Sequence, residues 1–141
     1  MIGNGGKEIF FLCLLHYNDT CKENQQFTGG ERKVVKLNIQ TAELALREAS
    51  ESNPGAWADH SRFVAEACKN IASHCKDLSS EQAYIFGLLH DIGRYAGVSS
   101  ERHLIDGYRY CMERGWEKAA QICISHAFMI QDIATSIGAV S

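Results

Sequence analysis

"YIFGLLHDIGRYAG", residues Tyr84 to Gly97, is the stretch on which the reading of the fold turns. It opens as an apolar run with no polar face, too continuous for a helix half in water. It then sets a histidine and an aspartate side by side, His90 and Asp91, and reaches Gly93. Ionisable side chains are expensive in a buried place unless something pairs with them. The segment therefore predicts a central helix, ending in a polar pair that needs a partner.

Working outward, helical signals surround it. Ser79 with Gln82 three residues on is a capping-box pattern that opens the helix running to about His90. Gly87 would let a neighbour approach closely, and Gly93 suits a helix terminus. Upstream, "TAELALREAS" puts Ala42, Ala45, Leu46 and Ala49 on one face, with Thr41 placed to cap it. Asn53-Pro54-Gly55 is a stop and a turn. A helix then runs from about Trp57 to Cys75, with an expected stripe of Val64, Ala67, Cys68, Ile71 and Cys75. His60, four residues before Val64, is expected on the same buried side. Downstream, a helix from about Ser100 to Arg114 closes at Gly115, with His103, Gly107 and Tyr110 on one side and Leu104, Tyr108 and Cys111 beside them. The fifth starts near Trp116 and carries Ala119, Ile122, Cys123, His126 and Ile130 on one stripe. One proline and no clear strand alternation complete an all-α reading of about five helices.

Composition narrows the function. A chain of 141 residues supports one domain with a sizeable core. Net charge is -3, so no global basic field recruits nucleic acid or a membrane surface. Six cysteines, Cys13, Cys21, Cys68, Cys75, Cys111 and Cys123, form no compact framework, which favours a reducing cytoplasm. "IFFLCLL", residues 9–15, is too short to span a bilayer and lacks a cleavage site after it. The first 36 residues are polar and unpatterned beyond that run. "GGERKVVKL" resembles a translated purine-rich ribosome-binding site, with Leu37 in the place of an alternative start codon. The expectation is a doubtful segment over 1–36 and a helical domain over 37–141. Cys13, His16 and Cys21 match no strong zinc spacing.

Four histidines, His60, His90, His103 and His126, fall on four successive helices with Asp91 beside one of them. Any one alone reads more simply as a hydrogen-bonded core residue. Burying all four together without a metal invites desolvation cost and mutual repulsion on protonation. A divalent cation removes both problems. Imidazole with carboxylate suits iron, manganese, nickel, cobalt or zinc, as one ion or two.

"WADHSRFVAEAC", "LLHDIGR" and "ICISHAF" resemble the HD-domain metal-dependent phosphohydrolase superfamily, in its His-Asp-Ile-Gly (HDIG) subgroup, from about Trp57 to Phe128. The resemblance implies an HD-type bundle in which His60, His90 and Asp91 bind a first metal. "RHLIDGYRYCMERGW" and "ISHAF" match the segments that supply a second, which makes His103 and His126 its implied ligands. It further implies hydrolysis of a phosphate ester or anhydride, of a nucleotide or related small molecule, by a metal-activated water. Asp91 would then have a catalytic role, and Arg94, where the family often has lysine, is a candidate phosphate contact; a solvated surface arginine is a reading of equal weight. Asp59, beside His60, reads more simply as an ordinary acid at a helix N-terminus than as a support for that ligand, and Arg102 and Asp106, which flank His103, are similarly ambiguous.

One departure stands out. The family's distal aspartate lies on a further helix, yet the chain continues only fifteen residues past His126, with Asp132 the one aspartate there. The expectation is therefore a missing final helix, an incomplete first site, and bare apolar stripes that favour a homo-oligomer. The competing reading is a non-catalytic HD module that binds nucleotide or metal. A helical structural protein with satisfied core histidines is the third.

Overall fold

The hydroxyl of Ser79 accepts a hydrogen bond from the Gln82 amide at 3.2 Å, and this cap starts the helix around which the others are arranged. The structure, a computed structural model, describes residues 34–97 and 101–127. Among these it places five α-helices and one 3-10 turn, and no strand: α1 (Ile39–Ser52), α2 (Trp57–Ser73), α3 (Ser80–Leu89), the 3-10 turn (Ile92–Ala96), α4 (Arg102–Glu113) and α5 (Glu117–Ser125). The fold class is all-α, as the periodicity predicts. The expectations for Cys13, Cys21, Ile130, Asp132 and the 1–36 segment lie wholly or almost wholly outside the described residues.

Helix α3 buries Ala83, Ile85, Phe86, Gly87, Leu88 and Leu89 and packs on α1, α2 and α5. A helix apolar on all sides needs neighbours on all sides, so its central position follows from its sequence. Gly87 sets the closest approach: a Cβ built there would lie 2.7 Å from the Ala65 amide nitrogen of α2. Helix α1 contributes Ala42, Ala45, Leu46 and Ala49, all four as expected. Its cap differs. Asn38, not Thr41, is the N-cap, and its Oδ1 accepts from both the Thr41 amide at 2.8 Å and the Thr41 hydroxyl at 2.9 Å. Asn is the equal of any N-cap residue, and the helix gains a turn by starting there.

Helix α4 ends as predicted at Gly115, whose φ of 75° is the left-handed value that glycine adopts freely. The Trp116 amide donates to Cys111 O at 2.9 Å and the Gly115 amide to Met112 O at 3.1 Å, the paired bonds of a Schellman ending. Trp116 then donates its indole N–H to Val35 O at 2.7 Å, tying residues 34 and 35 to the start of α5.

Two further expectations need correction. The buried face of α2 is Ala58, Ser61, Ala65, Cys68 and Ala72, with Val64, Ala67 and Ile71 at its margin and Cys75 beyond its end. The stripe is rotated because Gly87 admits the small residues of α2 to α3, leaving the larger ones at the rim. Gly93 is no helix terminus in the left-handed conformation; it lies inside the 3-10 turn, is buried, and its φ is not positive. A Cβ there would overlap the His103 carbonyl oxygen and the Gly107 amide nitrogen. Gly93 and Gly107 thus face each other and bring the turn after Asp91 against α4.

Candidate metal centre

Each candidate ligand sits at the end of a helix. His60 lies in the first turn of α2 and His103 near the start of α4; His90 and His126 are the C-cap residues of α3 and α5. Asp91 follows at the junction of α3 and the 3-10 turn. The two C-cap histidines share one device. The last carbonyls of a helix lack intrahelical donors. His90 Nδ1 lies 2.7 Å from Gly87 O, and His126 Nδ1 lies 2.9 Å from Cys123 O, each three residues back. A carbonyl only accepts, so we assign the ring proton to Nδ1 in both. The Nε2 lone pairs then face inward.

What they face is Asp91. Its Oδ1 lies 3.2 Å from His126 Nε2 and 3.3 Å from His103 Nε2; its Oδ2 lies 3.6 Å from His90 Nε2 and 3.0 Å from Arg94 Nε. The rings stand edge to face for His60–His90 and His90–His126, with centroids 5.4 and 5.1 Å apart, and tilted for His103–His126 at 5.5 Å. Two triads result, His60–His90–Asp91 and Asp91–His103–His126, and within each the donor atoms lie within 4.8 Å of one another. Asp91 belongs to both.

The electrostatics match. Burial would raise the Asp91 carboxyl, but His126, His90 and Arg94 outweigh it and hold it well below the usual carboxylate range. Burial pushes His90 down to about 4 against the pull of the Asp91 charge, so it is neutral at pH 7. The 3.2 Å contact of His126 lowers the Asp91 carboxyl as a hydrogen bond would. With the ring proton on Nδ1 alone, His126 Nε2 has none to donate and turns a lone pair toward Oδ1. Asp91 Oδ1 is buried and makes no hydrogen bond. A buried carboxylate oxygen facing an imidazole lone pair is repulsive unless a cation lies between them. A neutral His90, three further imidazoles, one ionised carboxylate and an orphaned oxygen fit a divalent transition metal, and no thiolate joins either triad.

The sequence-predicted residues all converge, with differences in setting. His90, Asp91 and His103 are buried and His126 nearly so, whereas His60, expected on the buried side, is exposed at the edge of the α2 face. The rotation of α2 places it at the mouth of the cluster, its donor still within the first triad. Arg94 is neither free in solvent nor turned away: it pairs with Asp91. Asp59 stands apart, 75% exposed and paired with Arg62 at 3.0 Å. Asp106 is buried, its Oδ2 3.2 Å from the exposed Arg102, and belongs to neither triad. Sequence reasoning missed the supporting atoms: the Gly87 and Cys123 carbonyls that orient two rings, and Asn53, whose Nδ2 donates to Arg94 O at 2.6 Å. Histidine three residues after a helical carbonyl at a helix end was the available signal for the first two. Asn53 left none, since its partner lies 41 residues away.

No helix among the described residues is long and apolar enough to cross a membrane. No curated protein and no solved structure matches the chain. A family model, that of the HDOD domain, matches residues 33–137, which takes in both triads and the helices that carry them. That domain is related to the HD-domain superfamily. With three-quarters of its length so matched and an all-α fold, this chain belongs to the HDOD domain family.

Proposed function

We propose that this HDOD domain is a metal-dependent phosphohydrolase of the HDIG type, acting on a phosphate ester or anhydride of a nucleotide or related small molecule. The observation that supports it best is Asp91 shared between two histidine triads. His60, His90 and Asp91 would hold one ion, and Asp91, His103 and His126 a second. Iron, manganese, nickel, cobalt and zinc all suit these donors. Ions so held supply Lewis acidity toward phosphoryl oxygens and lower the pKa of bound water toward neutrality.

The chain's own residues do the rest. The Gly87 and Cys123 carbonyls keep the Nδ1 protons of His90 and His126, so both rings present Nε2 without reorganisation. Burial of Asp91 and the neighbouring imidazoles strengthens every charge interaction made there. Exposure of His60 leaves the first triad open to a substrate from solvent. Arg94 is partly exposed beside it and has guanidinium donors beyond Nε to offer a phosphoryl oxygen. With a net charge of -3, the protein draws a small phosphorylated molecule through this local charge and not through a global field.

The test is metal content of the purified protein, together with a panel of phosphate esters and nucleotides in manganese, cobalt or nickel. Bound metal and turnover, both lost in Asp91→Ala, are expected. Bound metal with no turnover on any substrate would favour a non-catalytic binding module. Absence of metal binding would overturn the reading.

A further inference from the structure

The two oxygens of Asp91 are not equivalent. Oδ1 faces His103 and His126 at 3.3 and 3.2 Å, with no arginine or lysine against it among the described residues. Oδ2, the oxygen nearest His90, receives the Arg94 Nε–H at 3.0 Å. The Arg94 backbone is pinned at both ends of its peptide: its amide donates to Asp91 O at 3.0 Å and its carbonyl accepts from Asn53 Nδ2 at 2.6 Å. Its side chain is 37% exposed against 6% for Asp91. A buried carboxylate therefore has one permanent positive partner, tethered by its backbone, on the oxygen that the first triad would use.

From this we infer that Arg94 is the resident counter-cation of Asp91 and competes with the ion of the His60–His90–Asp91 triad for Oδ2. The inference rests on the metal-centre reading above and concerns which residue controls its loading. Two positive charges on one carboxylate oxygen repel at short range in a site of low dielectric. An ion entering the first triad must turn the guanidinium away from Oδ2, whereas an ion entering the Oδ1 triad meets no such rival. The Oδ1 triad fills first and the His60 triad second, at higher metal concentration. The guanidinium released by the second ion is then available to an anion at the mouth of the site, so phosphate binding depends on full loading.

Manganese titration of the metal-free protein by calorimetry tests this without reference to turnover. Wild type is expected to bind in two steps, or in one step if the weaker lies out of range. Arg94→Gln removes the charge and should tighten the weaker step on the order of tenfold, or bring it into range, with the tighter step unchanged. Arg94→Lys keeps the charge and should stay close to wild type; because it is the milder change, it also guards against a folding defect in the glutamine variant. Inorganic phosphate should bind the fully loaded Arg94→Gln protein more weakly than fully loaded wild type. Unchanged or weaker metal binding in Arg94→Gln, or lysine behaving as glutamine does, overturns the inference. Tightened metal binding in a protein that hydrolyses nothing would sustain it while removing the phosphohydrolase reading.

Discussion

Replacing Gly93 with alanine tests how the site is assembled. If Gly93 were an open helix position with ordinary dihedrals, alanine would stabilise by about 0.4–1 kcal/mol through the unfolded chain. If it were a left-handed terminus, alanine would be strained. The structure supports neither case: φ is not positive, and the new Cβ would meet the His103 carbonyl and the Gly107 amide. These are backbone atoms of α4, which cannot swing aside as a side chain can. Overpacking in a tight interior costs about 1–3 kcal/mol, and a clash with backbone belongs at or above the upper end. We expect a loss of about 3 kcal/mol or more in denaturant unfolding, and a fall in Tm of about 10 °C. The relief available is to push α4 away from the 3-10 turn, which carries His103 away from Asp91 Oδ1. Metal affinity of the His103–His126 triad should therefore fall more than that of the His60 triad in a calorimetric titration. Gly97→Ala is the control, since its φ of 116° has open space around it and its effect is local strain alone. Gly93→Ala with unchanged or raised stability would refute the packing argument.

Asp91→Asn keeps the shape and removes the charge common to both triads, so metal stoichiometry measured by elemental analysis should drop at both sites; loss at one alone would show that the carboxylate is not shared. Acid should weaken the metal-free fold from pH 6.5 downward: His90 titrates at about 4 when folded and near 6.5 when unfolded, so the unfolded chain binds more protons across that window and stability falls as pH drops through it. The full effect is about 3 kcal/mol, read as the difference in unfolding free energy between pH 7 and pH 4 in a chelator, and His90→Asn should flatten it. Among the four described cysteines, Cys75 is half-buried while burial pushes Cys68 up to about 12, and the Cys111 contact with burial raises Cys123, so iodoacetamide should modify Cys75 first; mass spectrometry of peptides reads the order.

Local chemistry was legible in the sequence. The 3.6-residue period gives α1 its buried face, the all-apolar run makes α3 central, Ser79 caps it and Gly115 closes α4, because each of these depends on residues a few positions apart. The four histidines and Asp91 could be marked as a group for the same reason: each falls at a predicted helix end or inward stripe. What sequence alone could not settle lies between helices. The rotation of α2 that exposes His60 depends on Gly87 admitting Ala65, twenty-two residues away. The role of Gly93 depends on α4 arriving opposite it. The division of Asp91 between two imidazoles on one oxygen and Arg94 on the other depends on three elements meeting at one carboxylate. A periodic pattern says which side of a helix is apolar, but its rotation and distance from a neighbour are set by the packing of side chains that no local pattern contains.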